Sequence, residues 1–234
     1  MNPILVALDM ADIKDARQFA ERLLGKVGGF KVGLELIMAE GPKAIDQIAS
    51  LGSPVFADVK LSDIPNTVQK ASLQLAKHGA RWVTVHASGG GEMISAAVAG
   101  LEEGAEGRQV GVLAVTVLTS LDSEDLHRTG IARSLDDQIE ALSTLAAEHA
   151  AEGVVCSPRE ASIVKRVSAD MLAVTPGIRL SSGQPHDQKR VATPVDAIGN
   201  GADLLVIGRA ITNSSDPIRV VDEINSALHL ESPI

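Results

Sequence analysis

Short runs of β-branched and aliphatic residues alternate with longer Ala- and Leu-rich segments along the chain, and this alternation constrains the fold more than any other feature. The runs are Pro3–Leu8, Phe30–Leu34, Val55–Val59, Trp82–Val85, Val110–Val115, Gly153–Val155, Leu172–Thr175 and Leu204–Ile207. Helical patterns follow at Ala11–Leu24, Pro42–Leu51, Thr67–His78, Met93–Gly100, Leu135–Ala151, Arg159–Val167, Pro194–Gly199 and Pro217–Leu228. Ile4-Leu5-Val6-Ala7-Leu8 and Leu204-Leu205-Val206-Ile207 carry no polar residue. Such runs suit strands covered on both faces, as in a parallel sheet. Eight strand–helix units in 234 residues predict an α/β fold, a single-domain (β/α)8 TIM barrel over residues 1–234. A doubly wound open sheet is the alternative. It is weakened because Asp9-Met10-Ala11-Asp12, after the first run, is no glycine-rich dinucleotide loop.

Composition narrows the partners. The hydrophobic fraction is 45%, enough for a sizeable core, which excludes a disordered chain. With 30 acidic and 21 basic residues the net charge is −9, which disfavours nucleic acid as a partner. Aromatics are 2% with no Tyr, so base-stacking platforms are missing too. The single cysteine, Cys156, excludes an internal disulfide, and the scattered histidines have no metal-ligand spacing. No apolar stretch approaches the ~18 residues of a membrane span, and Met1–Met10 lacks a basic leader. The expectation is a soluble, cytoplasmic protein that meets neither membrane nor nucleic acid.

In such a barrel, functional groups sit at the carboxyl ends of the strands, and phosphate is often held after strands seven and eight. Those ends carry Asp9, Lys31, Asp58, Lys60, Asp63, His86, Thr116, Thr119, Pro176-Gly177-Ile178-Arg179 and Gly208-Arg209. Asp58 and Lys60 are two apart on a strand, so they are expected on one side, with Lys31 on the neighbouring strand. Charges in an apolar barrel are costly unless paired. The cluster is either a structural ion pair, with Asp63 capping the next helix, or a proton-transfer site whose charges tune one another. Gly208 lets backbone approach an anion, and Arg209 can add a bidentate contact. The polar stretch from Arg179 to Gln188 has the composition of a lid, or of an ordinary surface loop. Ser88-Gly89-Gly90-Gly91 lacks the Lys-Ser/Thr of a phosphate loop and reads as a turn.

Asp58-x-Lys60-x-x-Asp63 followed by Ile64-Pro65-Asn66-Thr67 resembles the signature of the orotidine 5′-phosphate decarboxylase family. The resemblance continues through Phe30-Lys31-Val32-Gly33, Val85-His86-Ala87-Ser88-Gly89-Gly90, Val117-Leu118-Thr119-Ser120, Thr175-Pro176-Gly177-Ile178-Arg179, Asp187-Gln188-Lys189-Arg190 and Val206-Ile207-Gly208-Arg209. It implies decarboxylation of orotidine 5′-phosphate to uridine 5′-phosphate and CO2 in pyrimidine biosynthesis, without metal or cofactor. Lys60 matches the proton donor that stabilises a C6 carbanion, and Asp58 the carboxylate beside the departing one. Lys31 and Asp63 complete an alternating array, with Asp63 supplied by the partner in a homodimer with shared sites. Asp9, Lys31, Asp63 and Thr67 match ribose contacts, Thr119 a pyrimidine contact, and Gln188, Arg209 and Arg179 the phosphate grip. Ile64, Pro176 and Gly208 join the substrate-binding set.

A related group of barrels shares the Asp-x-Lys-x-x-Asp pattern: the magnesium-dependent 3-keto-gulonate 6-phosphate decarboxylases and hexulose-phosphate synthases. Glu35, just beyond the second strand, keeps that reading open, while Lys31 and Ile64-Pro65-Asn66-Thr67 favour the nucleotide enzyme. A non-catalytic nucleotide-binding barrel is the third reading, and a buried carboxylate facing the ligand's own argues against it.

Overall fold

Ile4–Ala7 is apolar at every position because both of its faces are covered: every residue of this first strand is buried. A computed structural model describes residues 1–180 and 191–230. The strands are β1 (Ile4–Ala7), β2 (Gly29–Gly33), β3 (Val55–Leu61), β4 (Trp82–His86), β5 (Gly111–Val115), β6 (Gly153–Val155), β7 (Leu172–Thr175) and β8 (Leu204–Ile207). Each pairs in parallel with the next, and β8 returns to β1 with Leu205 facing Ile4, so the barrel is closed and has no edge. The helices are α1 (Ile13–Glu21), α2 (Leu34–Glu40), α3 (Lys43–Ala49), α4 (Pro65–Lys77), α5 (Gly91–Ala105), α6 (Ser123–Arg128), α7 (Leu135–Glu148), α8 (Ala161–Val167), α9 (Pro194–Gly199), α10 (Arg209–Thr212) and α11 (Pro217–Ala227). Among the described residues no helix is long and apolar enough to cross a membrane.

Strand alternation divides the core in two. Ile4, Val6, Phe30, Val32, Val55 and Ala57 point outward and pack under the helices. Leu5, Ala7, Phe56, Trp82, Leu113, Val174, Leu204 and Val206 point inward and fill the barrel. At its amino end, both terminal guanidinium nitrogens of Arg81 and the indole Nε1 of Trp82 donate to the Glu152 carboxylate, and Arg81 lies 4.4 Å from the Trp82 ring centroid. That end is a stability device, which leaves the carboxyl end for chemistry.

Several element boundaries differ from expectation for local reasons. The helical pattern expected over Met93–Gly100 falls within α5, which runs on to Ala105. A Cβ at Gly100 would come 2.0 Å from the Gln69 carbonyl, and one at Gly104 2.3 Å from that of Leu73. The two glycines therefore admit the backbone of α4 against that of α5. Leu34 leaves the second strand and opens α2, whose Leu36 and Ile37 are buried. The short helices α6 and α10 span too few residues to show a helical period. The fourth helix starts at Pro65 in its first position, with Ile64 as its cap. Asp63 is thus not the expected cap; its Oδ1 accepts from the Ile64 N–H at 2.7 Å.

Candidate active site

β3 runs two residues beyond its expected end, to Leu61, and its last stretch is irregular. Ala57 faces Val83 on β4, but it is Leu61, not Val59, that faces Val85. Lys60 sits there in the left-handed region with φ of 50°, a conformation of about 1–3 kcal/mol cost for a non-glycine residue. The expectation that Asp58 and Lys60 share a side holds, but simple strand alternation is not the reason. The bulge turns the Lys60 ammonium back onto Asp58, with Nζ donating to Oδ1 at 2.7 Å.

Lys31, buried on β2, extends the cluster. Its Nζ donates to Asp9 Oδ1 at 2.9 Å and lies 3.6 Å from Asp58 Oδ2. Burial works against a charge on Asp58. The Lys31 and Lys60 ammonium groups and the hydrogen bonds from Lys60 and Thr84 outweigh it, holding this carboxyl below the ordinary aspartate range. Neutral pH therefore finds Asp58 ionised. His86, half-buried at the end of β4, is shifted down by its burial and by the Lys60 charge, with Asp58 opposing. It is neutral at pH 7 and adds no third cation.

Asp9, Lys31, Asp58 and Lys60 open into a cavity of about 240 Å³ at the carboxyl end of the barrel. Of the residues singled out in the sequence, Asp9, Lys31, Asp58, Lys60, Thr119, Pro176, Arg179, Gly208 and Arg209 line it. Phe56, Val115, Val117 and Val155 supply an apolar wall. The charged lining is two lysines and two arginines against two aspartates, a cationic pocket in a chain of net charge −9. Asp63, Ile64 and Thr67 do not line it; they are exposed at the start of α4. Gln188 and the 181–188 part of the expected lid fall outside the described residues. Thr116 is buried, its hydroxyl donating to the Val155 carbonyl at 3.1 Å. Ser88-Gly89-Gly90-Gly91 is the expected turn, a short 3-10 segment running into α5.

Two residues of the site escaped sequence reasoning as individuals. Thr84 is a fully buried polar residue on an inward position of β4, bonded to both Asp58 and Lys60. Counting back two from His86 along an otherwise apolar strand was the available signal. Gly33 is the other. Its φ of −96° is open to any residue, but a Cβ there would lie 2.6 Å from Lys31 Nζ and 3.3 Å from Asp9 Oδ1. The absent side chain makes room for the ammonium. Gly33→Ala should leave thermal stability within about 1 kcal/mol, because the obstructed atom ends a flexible chain. The displaced ammonium should lower kcat/KM by about tenfold or more. Unchanged kinetics in the folded variant would mean that the Lys31 position carries no weight.

Residues 2–224 match the family model described as the orotidine 5′-phosphate decarboxylase / HUMPS family. The curated orotidine 5′-phosphate decarboxylase of Paramagnetospirillum magneticum is 44% identical over 98% of this chain and 100% of its own length. That of an Anaeromyxobacter species is 45% identical over 96% of this chain and 97% of its own. Among solved structures, the orotidine 5′-phosphate decarboxylase of Lactobacillus acidophilus superposes with a TM-score of 0.86 at 34% identity, covering 97% of this chain and 98% of that one. An uncharacterised conserved protein from Geobacillus kaustophilus gives 0.84 at 38% identity, covering 96% and 99%. With a barrel closed in the same way and sequence likeness along nearly its whole length, this chain belongs to the orotidine 5′-phosphate decarboxylase / HUMPS family.

Proposed function

We propose that this chain decarboxylates orotidine 5′-phosphate to uridine 5′-phosphate and CO2, without a metal or cofactor, as an enzyme of pyrimidine biosynthesis. The observation that carries the reading is the cationic cavity with the Asp58–Lys60 pair at one side and Arg179 and Arg209 at the other strand ends. A substrate with a phosphate and a carboxylate brings negative charge that such a lining offsets. The C–CO2 bond breaks, CO2 leaves, and the electron pair stays on the ring carbon. The Lys60 ammonium stabilises that pair and then gives its proton to it, and solvent restores the lysine. Asp58 stands beside the departing carboxylate. Asp9 and Lys31 hold ribose hydroxyls, Thr119 and Pro176 the base, and Arg179, Gln188, Gly208 and Arg209 the phosphate.

The magnesium-dependent sugar-phosphate reading is less well supported. Glu35 is exposed on α2 and does not line the cavity. Between the Asp9 and Asp58 carboxylates stands the Lys31 ammonium, where a divalent ion would need an open site. The deciding experiment is CO2 release from orotidine 5′-phosphate by the purified protein, with and without a chelator. Full activity in both arms is expected. No release, or loss on chelation, would overturn the reading.

The same reading makes the protein a cytoplasmic homodimer with shared sites. Asp63, Ile64 and Thr67 would reach a partner's cavity and add Asp63 to the Lys31–Asp58–Lys60 array. Ile64 is 67% exposed and Met38 on α2 is 76% exposed, large apolar side chains set beyond neighbouring strands and suited to a covered face. Asp63→Ala mixed with Lys60→Ala should regain activity, since one site of the mixed dimer then holds both groups. Absence of any recovery after verified subunit exchange would exclude a shared site.

A further inference from the structure

Between Ala57 and Leu61, β3 advances four residues while β4 advances two, from Val83 to Val85. Asp58, Val59 and Lys60 therefore lie opposite a single residue, Thr84. At such a bulge the backbone ladder is interrupted, and an unpaired N–H must find another acceptor. The Lys60 N–H finds the Thr84 hydroxyl, donating to Oγ1 at 2.9 Å. That hydroxyl spends its own proton on Asp58 Oδ1 at 3.1 Å. The same Oδ1 accepts from Lys60 Nζ at 2.7 Å. A ring closes: the Thr84 hydroxyl, the Asp58 carboxylate, the Lys60 ammonium and the Lys60 backbone.

Thr84 is fully buried and does not line the cavity, so it acts on substrate only through its two partners. Only a group that donates and accepts at one atom can close this ring at that distance from both partners. Serine has such a group, and valine, of the same outline, has neither function. Lys60 adds a second constraint, because its left-handed backbone, φ of 50°, is held at the bulge by this hydrogen bond.

Resting on the decarboxylase reading above, we propose that Thr84 is a positioning residue: its hydroxyl pins the β3 bulge and so sets the Lys60 ammonium and the Asp58 carboxylate against the reacting carbon. Its loss leaves the phosphate and ribose contacts on other strands in place, so the chemical step suffers and binding does not.

The test compares Thr84→Val with Thr84→Ser by steady-state kinetics on orotidine 5′-phosphate, with thermal unfolding to verify folding. Thr84→Val should lower kcat about 100-fold, the size expected of a misplacement near 1 Å, with KM within about threefold. Thr84→Ser should keep kcat within about fivefold of the parent. Should the valine variant fail to fold, Thr84→Ala is compared with Thr84→Ser in its place. A folded hydroxyl-free variant with kcat within threefold of the parent would overturn the proposal, as would a serine variant no better than it. A loss confined to KM would overturn it as well. A parent that releases no CO2 would sink the decarboxylase reading and this inference with it. An active parent with indifferent Thr84 variants sinks the inference alone.

Discussion

Lys60→Ala is expected to lower turnover by at least about ten-thousandfold while uridine 5′-phosphate still binds. The lysine is asked to do two things. A positioned acid contributes roughly 10²–10⁴ in rate. A preorganised charge at a developing anion adds roughly 10²–10³. The proposed carbanion would lie in an sp² orbital of the ring and be poorly delocalised, so the proposed reaction would need both contributions. Repulsion between Asp58 and the substrate carboxylate is the competing explanation, and its size decides against it as the main term. Two like charges ~4 Å apart at an effective dielectric of ~20 repel by about 4 kcal/mol. Full relief would supply roughly three factors of ten, whereas enzymatic accelerations typically draw on ~8–23 kcal/mol. In the proposed pose the repulsion would be present, because Asp58 is held ionised by Lys31, Lys60 and Thr84 against its burial. Asp58→Asn should accordingly slow the reaction severely and lose less in nucleotide affinity. The fold of Lys60→Ala has support: after Lys60 is truncated, Asp58 keeps Lys31 at 3.6 Å and the Thr84 hydroxyl at 3.1 Å. Turnover by Lys60→Ala within tenfold of the parent would remove Lys60 from the chemistry.

The eight strands were legible because apolar residues predominate on both faces of most of them, and a doubly covered strand has no way to hide that in its sequence. The β7 and β8 boundaries were read as the structure has them, since turn residues bracket both runs. The end of β3 was not legible. Bulging there depends on one threonine across the ladder, and no periodicity in Val55–Leu61 announces it. Pairing of Asp58 with Lys60 was nonetheless foreseen, because a buried carboxylate needs a cation wherever the backbone puts it. Gly100 misled for an instructive reason. A glycine inside a helix reads as a stop, whereas here it marks the contact of two backbones. Asp63, Ile64 and Thr67 mark the limit of one chain: they are exposed, and in the proposed dimer the group they would meet belongs to a second copy.

Arg209→Ala is expected to lower kcat/KM for orotidine 5′-phosphate by about 10²–10³-fold and for the phosphate-free nucleoside by less than about threefold. Arg209 follows β8 and Gly208 at the cavity rim, across the barrel wall from the reacting pair on β3. In the proposed pose it holds the phosphate and touches no atom that reacts. Its effect on the chemical step must come from binding energy at a remote group, used to order the substrate and the segment around Arg179. A charge-assisted contact is worth roughly 1.5–3 kcal/mol, and a bidentate guanidinium makes two, which sets the scale of the loss. Stability enters little, since Arg209 is exposed and its truncation opens no cavity in the core. The nucleoside is the control that isolates the phosphate: with no phosphate to grip, the variant and the parent should handle it alike. Equal losses on nucleotide and nucleoside would place the phosphate elsewhere and leave Arg209 a general structural role.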